Sequence, residues 1–165
     1  MLVGIIGDTH DQIPELKKTL QALRGEGIEL LIHAGDWVSA FTLEYYRGVS
    51  CPIRGVWGNN VGDTRFPAMA AKAGIDLALS ETHENVYCGR RVFVAHEPET
   101  QPPPGVDLHV YGHNHAAKIE HRGATLSVNP GTLLCETFPW LTSRPSFAIY
   151  DTDSGDAHLV YLDTL

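Results

Sequence analysis

Short apolar runs, each followed by a glycine and then by an acid or its amide, recur along the first third of the chain. They occupy residues 2–6, 29–34 and 51–57. Runs of this length that carry few polar residues are typical of strands buried on both faces of a sheet. The pattern therefore predicts three central strands, with the polar residues placed just beyond their carboxyl ends.

Helical spacing fills the intervals between these strands. Apolar residues recur every three or four positions at Ile13, Leu16, Leu20 and Leu23. Pro14 suits the first turn of this helix, and Gly25 or Gly27 is expected to end it. Residues 39–46 and 66–73 are predicted to form shorter helices. Strands that alternate with helices favour an α/β protein with parallel strand pairs.

Beyond residue 80 the pattern changes from strand–helix alternation to hairpins around glycine turns. The predicted pairs are residues 82–87 with 91–95, 118–121 with 125–128, and 146–150 with 157–162. A glycine turn between two such runs is the usual sign of antiparallel pairing. A further strand at residues 108–111 leads into the sequence Gly112-His113-Asn114-His115.

Five of these predicted strands end in side chains that can bind a metal. In chain order they are Asp8 with His10, Asp36, Asn59, His96, and His113 with His115. Open α/β sheets bind ligands at the carboxyl ends of their strands. If the five strands are neighbours, their ends bring seven groups into one crevice. Each motif alone also fits ordinary turn chemistry or a polar loop, and His33, inside an apolar run, fits a buried structural histidine better than a ligand.

The seven groups comprise two carboxylates, four imidazoles and one amide, which is more than one tetrahedral ion uses. Two divalent ions that share a carboxylate, roughly 3.5–4 Å apart, fit this set better. Ligands that offer nitrogen and oxygen suit Mn, Fe, Zn or Ni.

The same ordered set of motifs, Asp-x-His, Gly-Asp, Gly-Asn, His and Gly-His-x-His, resembles the calcineurin-like metallophosphoesterases, and specifically their small YfcE-like phosphodiesterase branch. The resemblance covers residues 2–162. It implies a four-layer α/β/β/α sandwich in a single domain, residues 1–165, and a dinuclear Mn²⁺-type centre that hydrolyses small phosphodiesters through a bridging hydroxide. Matched residue by residue, it implies one ion bound by Asp8, His10 and His115, another by Asn59, His96 and His113, and a bridge at Asp36. Asp36, Asn59 and His96 are the residues expected to take part in catalysis.

Three residues depart from the family pattern. Asn60 stands where many members that act on phosphomonoesters carry a histidine thought to protonate the leaving oxygen, and an amide is no acid. Glu97 follows His96 where the family usually has glycine, and it could repel a phosphate, carry a proton, support a ligand or point away. Asn114 replaces a commoner threonine. We therefore expect a preference for diesters with acidic leaving groups over alkyl monoesters.

Composition narrows the remaining functions. The chain has 165 residues, with 12 Lys and Arg against 20 Asp and Glu and a net charge of −8. This balance argues against a broad nucleic-acid surface, and so against the rival reading as a metal-dependent nuclease. Three scattered cysteines suit reduced thiols, and no signal peptide or membrane span is evident, so the cytoplasm is the expected location. The sequence leaves a homo-oligomer open.

A different class of function is an interaction module without catalysis. The retromer complex contains a subunit of this fold that has given up hydrolysis and offers an apolar surface to partners. Asn60 and Glu97 keep this alternative open. Trp37, Phe138 and Trp140 are candidates for an apolar wall beside the site, although such aromatic residues are more often part of the core.

Overall fold

Eleven strands and three helices make up the part of the chain that the structure, a computed structural model, describes: residues 1–135 and 144–165. The strands are β1 (Leu2–Ile6), β2 (Leu30–His33), β3 (Ile53–Val56), β4 (Leu77–Ser80), β5 (Thr82–Tyr87), β6 (Arg90–Ala95), β7 (Leu108–Val110), β8 (Lys118–Arg122), β9 (Thr125–Asn129), β10 (Ser146–Asp151) and β11 (Ala157–Tyr161). The helices are α1 (Ile13–Glu26), α2 (Leu43–Tyr46) and α3 (Phe66–Ala73), with short 3-10 turns at Ala40–Thr42 and Leu162–Thr164. No helix in these two ranges is both long and apolar enough to cross a membrane.

The strands form two sheets. The first has six strands in the order β11-β10-β1-β2-β3-β4, and the second has five in the order β5-β6-β7-β9-β8. The pairs β1–β2, β2–β3 and β3–β4 are parallel, as are β6–β7 and β7–β9. The three hairpins predicted from glycine turns, β5–β6, β8–β9 and β10–β11, are antiparallel as expected.

Apolar side chains cover both faces of the first sheet. Between the two sheets lie buried residues of both, among them Val3, Ile32, Val94, Val110 and Val128. On the other face of the first sheet, the helices pack through residues such as Leu20, Tyr46 and Phe66. Because β1 and β2 are covered on both faces, nearly all their residues are apolar, which explains the continuous apolar runs in the sequence.

This arrangement confirms the mixed α/β architecture with two facing sheets. The buried residues that α1, α2 and α3 contribute to the core all belong to the cluster on the first sheet. Phe93, Ala95 and Val106 form a small separate cluster, and the alternation of side chains along β6 places Phe93 and Ala95 on the outer face of the second sheet. Within residues 1–135 and 144–165, no helix contributes to that outer cluster, so the described residues supply three of the four expected layers.

Some element boundaries differ from the sequence prediction. Gly27, with a left-handed φ of 72°, ends α1, and Gly25 lies inside the helix. Residues 39–46 divide into a 3-10 turn and helix α2 instead of forming one helix. The sequence analysis misses β4, an edge strand with partly exposed side chains, because its apolar run spans only residues 77–79 and is shorter than the usual strand signal.

The strands that carry the predicted ligands divide between the two sheets. β1, β2 and β3 lie in the first sheet, whereas β6 and β7 lie in the second. Sequence order hides this division because β5 begins at Thr82, two positions after β4 ends at Ser80, and yet starts a new sheet. The candidate site is built where strand ends from both sheets meet.

Candidate metal centre

All seven predicted ligands lie together at one edge of the two facing sheets. They follow the strands in this order: Asp8 and His10 after β1, Asp36 after β2, Asn59 after β3, His96 after β6, and His113 and His115 after β7. A hydrogen bond joins the two sheets here, because the backbone N–H of His113 donates to Asp8 Oδ1 at 3.1 Å across 105 positions of sequence. The fold therefore brings together each of the seven side chains.

Four of these side chains form one group, called site A: Asp8, His10, Asp36 and His115. One potential ligand atom from each lies within 4.8 Å of those of the others. His10 Nε2 is 3.1 Å from Asp36 Oδ2 and 3.2 Å from His115 Nε2, which in turn is 3.3 Å from Asp8 Oδ1. A tetrahedral ion with bonds of about 2.1 Å places its donors about 3.4 Å apart. The spacing in site A matches that requirement.

Asn59, His96 and His113 form a second group, called site B, which meets site A at Asp36. Asn59 Oδ1 is 2.7 Å from His96 Nε2 and 2.9 Å from His113 Nδ1. Asp36 presents Oδ1 to site B, 3.4 Å from His96 Nε2, and presents Oδ2 to site A. One carboxylate therefore faces both groups, which is the arrangement that a shared ligand needs.

Hydrogen-bonding rules show why site B suits a cation. His96 Nδ1 is 2.8 Å from the carbonyl oxygen of Ala34, which can only accept, so the ring proton resides on Nδ1. His96 Nε2 then presents a lone pair to the Asn59 oxygen, which is also an acceptor. Two acceptors held 2.7 Å apart repel each other, and a positive charge between them turns that repulsion into attraction. The nitrogen and oxygen donors present suit a divalent transition-metal ion.

Asp36 is ionised in this setting. Burial alone would raise the pKa of Asp36, but hydrogen bonds with His10 and with the side chain and backbone of Asn60 outweigh burial and hold the pKa well below its usual range. Burial lowers the pKa of His10, and its hydrogen bond with Asp36 and the charges of Asp36 and Asp8 more than compensate, so that pKa is raised. The shared carboxylate therefore carries its negative charge at neutral pH.

The loops that carry the ligands adopt an unusual backbone conformation. Among the described residues, seven non-glycine residues have a positive φ, and five of them are predicted ligands: Asp8, His10, Asp36, His113 and His115. Such a conformation costs a residue with a side chain about 1–3 kcal/mol and is concentrated at functional sites. The cluster indicates that these loops are shaped to place the side chains, at some cost in stability.

Glycines beside the ligands make room for this crowding. A Cβ on Gly58 would lie 2.3 Å from the backbone nitrogen of Asp36, and a Cβ on Gly112 would lie 2.5 Å from Asp8 Oδ2. Gly58 also has a φ of 87°, in the left-handed region that favours glycine. The glycines are needed because loops from different strands approach each other closely at the site.

Two residues weighed as possible parts of the site belong to the core instead. His33 is fully buried, accepts a hydrogen bond from the Gly35 backbone at Nδ1, and stacks on Trp37 with ring centroids 3.8 Å apart. Burial lowers the pKa of His33 to about 3. Trp37 is also buried, among core aromatic rings, so it forms no exposed wall. Phe138 and Trp140, the other candidates for that wall, lie outside the described residues.

Sequence reasoning missed the amides that support the ligands. Asn60 donates its backbone N–H and its side-chain amide to the two oxygens of Asp36, at 2.9 and 3.0 Å. Asn129, buried at the end of β9, donates to the Gly112 carbonyl at 3.1 Å and to Asn114 Oδ1 at 2.8 Å. This pair fixes the loop between the two histidines. The only signal for Asn129 is the sequence Asn-Pro-Gly, which predicts a turn and nothing about the site.

Two cavities open beside the candidate centre and share Asn59 in their walls. One, of about 480 Å³, is lined by His10, Val38, Asn59, Asn60, Val61 and Gly62. The other, of about 280 Å³, includes Asn59, Glu81, His96 and Glu97 in its wall. Among the described residues that line these two cavities, none is a lysine or an arginine. The space therefore suits a small ligand with two substituents and little negative charge beyond the group at the centre.

Comparison with known proteins gives a family match over most of the chain. The model of the calcineurin-like phosphoesterase superfamily domain matches residues 1–155. The phosphodiesterase MJ0936 of Methanocaldococcus jannaschii is 26% identical over 170 residues, which cover 99% of this chain and 100% of that protein.

Two solved structures of similar fold are those of the phosphoesterase YfcE and of the protein Vps29. YfcE, a phosphoesterase from E. coli, has a TM-score of 0.74 and 20% identity, covering 98% of this chain and 100% of YfcE. Vps29 from Entamoeba histolytica, in complex with Zn²⁺, has a TM-score of 0.71 and 18% identity, covering 98% of this chain and 99% of Vps29. At such identity the likeness concerns the fold.

Proposed function

This chain belongs to the calcineurin-like phosphoesterase superfamily, and we propose that it is a metal-dependent phosphodiesterase acting on small diesters. One observation carries the proposal: Asp36 presents one oxygen to site A and the other to site B, 3.1 Å from His10 Nε2 and 3.4 Å from His96 Nε2. Two groups of donors that share one carboxylate match the requirement of a two-metal hydrolytic site.

The proposed ligands are Asp8, His10, Asp36 and His115 for a cation in site A, and Asp36, Asn59, His96 and His113 for a cation in site B. We propose Mn²⁺ for both, with Fe, Zn or Ni as alternatives that the same donors accept. When bound, two such ions supply hydroxide at neutral pH and neutralise the charge of the phosphoryl oxygens. Asp36, ionised and held by Asn60, fixes the relation between the two sites.

Three features favour diesters over monoesters. The two cavities that meet at Asn59 provide space for two substituents on phosphorus. Glu81 and Glu97 in the smaller cavity disfavour the second negative charge that a monoester carries. The Asn60 amide donates to Asp36, and an amide is too weak an acid to protonate a leaving oxygen. Diesters with acidic leaving groups are therefore the preferred substrates, since an acidic leaving group departs without protonation.

The test combines metal analysis with an assay on an aryl phosphodiester with added Mn²⁺. Wild type is expected to bind two ions per chain and turn over, while Asp36→Asn should bind fewer ions and lose at least about 10²-fold in rate, because it loses charge at both sites. Asp76→Asn, which removes a carboxylate paired with Arg54 on the surface, is the matched control. An Asp36→Asn enzyme as fast as its parent would remove the mechanism.

Two rival functions give different results in the same assay. The fold likeness extends to Vps29 as well as to phosphoesterases, so fold alone does not separate an enzyme from an interaction module. An interaction module would bind cations without turnover of any ester under any metal. A nuclease would cleave DNA or RNA faster than the small diester. This alternative is disfavoured because no Lys or Arg occurs among the described residues in the walls of the two cavities.

A further inference from the structure

Glu97 contacts His113 on the side of the ring that faces away from site B. Glu97 Oε2 lies 3.4 Å from His113 Nε2. The other ring nitrogen, Nδ1, lies 2.9 Å from Asn59 Oδ1, inside site B. The carboxylate therefore meets the ring nitrogen opposite the one that faces Asn59, while Glu97, His96 and His113 each offer a potential ligand atom within 4.8 Å of the others.

The same arrangement occurs at the other histidine of site B with the nitrogens exchanged. His96 turns Nε2 towards Asn59 and has an acceptor, the Ala34 carbonyl oxygen, 2.8 Å behind Nδ1. An acceptor behind an imidazole keeps the proton on the nitrogen that faces away from the metal. The other nitrogen then directs its lone pair at the metal. Glu97 stands in the corresponding place for His113.

His113 has the greatest need of such support. Its side chain is 40% exposed, compared with 5% for His96 and 18% for His115. Packing therefore restrains His113 less than it restrains the other imidazoles, and its tautomer depends on the groups at its two nitrogens. A carboxylate, which only accepts hydrogen bonds when ionised, selects the tautomer with the proton on Nε2.

We propose that Glu97 is a positioning residue for the cation of site B. It acts through His113: it keeps Nδ1 unprotonated, orients the ring, and strengthens the nitrogen as a donor. This assignment rests on the metal centre of the proposed function. It gives a role to the carboxylate that replaces glycine in the family pattern, and it distinguishes site B, which has this carboxylate, from site A.

The experiment titrates the metal-free full-length protein with Mn²⁺ by calorimetry, with the EPR signal of the coupled ion pair as a second readout. Glu97→Ala should weaken the binding of one of the two ions, the one in site B, by about 10–100-fold, with the other ion unchanged. Glu97→Gln, which keeps an acceptor but loses the charge, should lie between Glu97→Ala and wild type. Glu99→Gln removes an exposed carboxylate two positions along the same loop and should bind both ions as wild type does.

A double variant tests whether the effect passes through His113. In a His113→Ala background, Glu97→Ala should change Mn²⁺ affinity by less than about twofold, since an effect carried by one contact disappears with it. The assignment is overturned if Glu97→Ala alone leaves both affinities unchanged, or if its effect persists without His113. A wild type that binds two ions and hydrolyses no ester would remove the proposed function and leave this assignment standing. A wild type that binds a single ion would overturn both.

Discussion

Asn60 donates to both carboxylate oxygens of Asp36, through its backbone N–H to Oδ1 at 2.9 Å and through its side-chain amide to Oδ2 at 3.0 Å. This clamp occupies one lone pair on each oxygen and leaves the others for sites A and B. The residue that breaks the family pattern thus has a structural role in place of an acidic one.

The rate at which the wild-type protein hydrolyses an ester should therefore depend on the acidity of the leaving group. With no group at position 60 to protonate a leaving oxygen, an aryl diester is expected to react at least about 10²-fold faster than phosphoserine, the range that general acid catalysis usually covers. Parallel measurement of kcat/KM on both substrates with Mn²⁺ checks this expectation. Comparable values would contradict it.

Asn60→His should shift the balance between these substrates. The variant places a titratable group beside the centre, so the ratio of the phosphoserine rate to the aryl diester rate should rise by at least about tenfold. Asn60→Ala is the matched control, because it loses the side-chain half of the clamp on Asp36 without gaining an acid, and both of its rates should fall together. Equal ratios in the two variants would show that position 60 does not face the leaving group.

Gly112→Ala should damage the candidate centre, with Asp8 of site A affected most directly. The new Cβ would lie 2.5 Å from Asp8 Oδ2 and 3.1 Å from the Ala34 carbonyl oxygen, and forcing a group into such a packed place costs about 1–3 kcal/mol. We expect Asp8 to move and Mn²⁺ affinity to fall at least about tenfold, the equivalent of about 1.4 kcal/mol.

Gly25→Ala provides the comparison for that variant. Gly25 lies inside α1, and a Cβ there would meet nothing within 4 Å. Alanine in a helix is favoured over glycine by roughly 0.5–1 kcal/mol, so this variant should be slightly more stable and bind Mn²⁺ as wild type does. Urea unfolding and calorimetry measure the two properties separately. A Gly112→Ala protein with wild-type affinity would contradict the crowding at site A.

Removal of metal should lower thermal stability. Each ion would be bound by side chains from both sheets in the folded state only, so at 100 times its dissociation constant each contributes about 2.7 kcal/mol. For a domain of this size, 1 kcal/mol moves Tm by about 2–4 °C. Chelation should therefore lower Tm by roughly 5–10 °C per ion. Asp36→Asn should show a much smaller shift in Tm on chelation. A wild-type Tm that chelation leaves unchanged would contradict the proposed metal centre.

His109 should make the metal-free protein sensitive to mild acid. Both ring nitrogens are buried without a hydrogen-bond partner among the described residues, and burial, assisted by Arg122, lowers the pKa from 6.5 to about 4. Between those values the unfolded chain binds a proton that the folded protein excludes. The stabilisation is complete above pH 6.5 and is lost as the pH falls towards 4.

The loss at pH 5 should be about 2 kcal/mol relative to pH 7 for this one histidine. His109→Phe, which keeps an aromatic ring beside Phe93 and Tyr111, should show a flatter decline in the free energy of unfolding over that range. Urea titrations of the two metal-free proteins at several pH values supply the comparison. Parallel pH curves would show that His109 is not the group responsible.

The sequence predicts the local elements well because short-range periodicity determines them. The structure reproduces the predicted helix at residues 66–73 as α3, Phe66–Ala73, and the predicted strand at residues 2–6 as β1. Edge strand β4 is missed, since its apolar run of three residues, 77–79, is shorter than the runs of the buried strands. The assignment of each strand to one of the two sheets is not visible in the local pattern, because it depends on contacts such as β1 with β10, more than a hundred residues apart.

The candidate site likewise divides into residues that the local sequence predicts and residues that depend on contacts distant in sequence. The ligand side chains are visible in sequence because each follows a strand directly, and residue type at that place suggests the chemistry. Their supports are not visible. Asn129 contacts Asn114, which lies 15 positions earlier in the sequence, and Asn60 contacts Asp36, which lies 24 positions earlier. Nothing in the local pattern distinguishes these amides from ordinary turn residues.

Sites A and B each take donors from the first sheet and from the second. No fragment that contains one sheet alone owns a complete ligand set, and a chain still emerging from the ribosome lacks His113 and His115 until its second half is made. The protein can therefore become active only after the two sheets have docked. An unfinished or partly opened molecule lacks a complete metal site and cannot hydrolyse cellular esters.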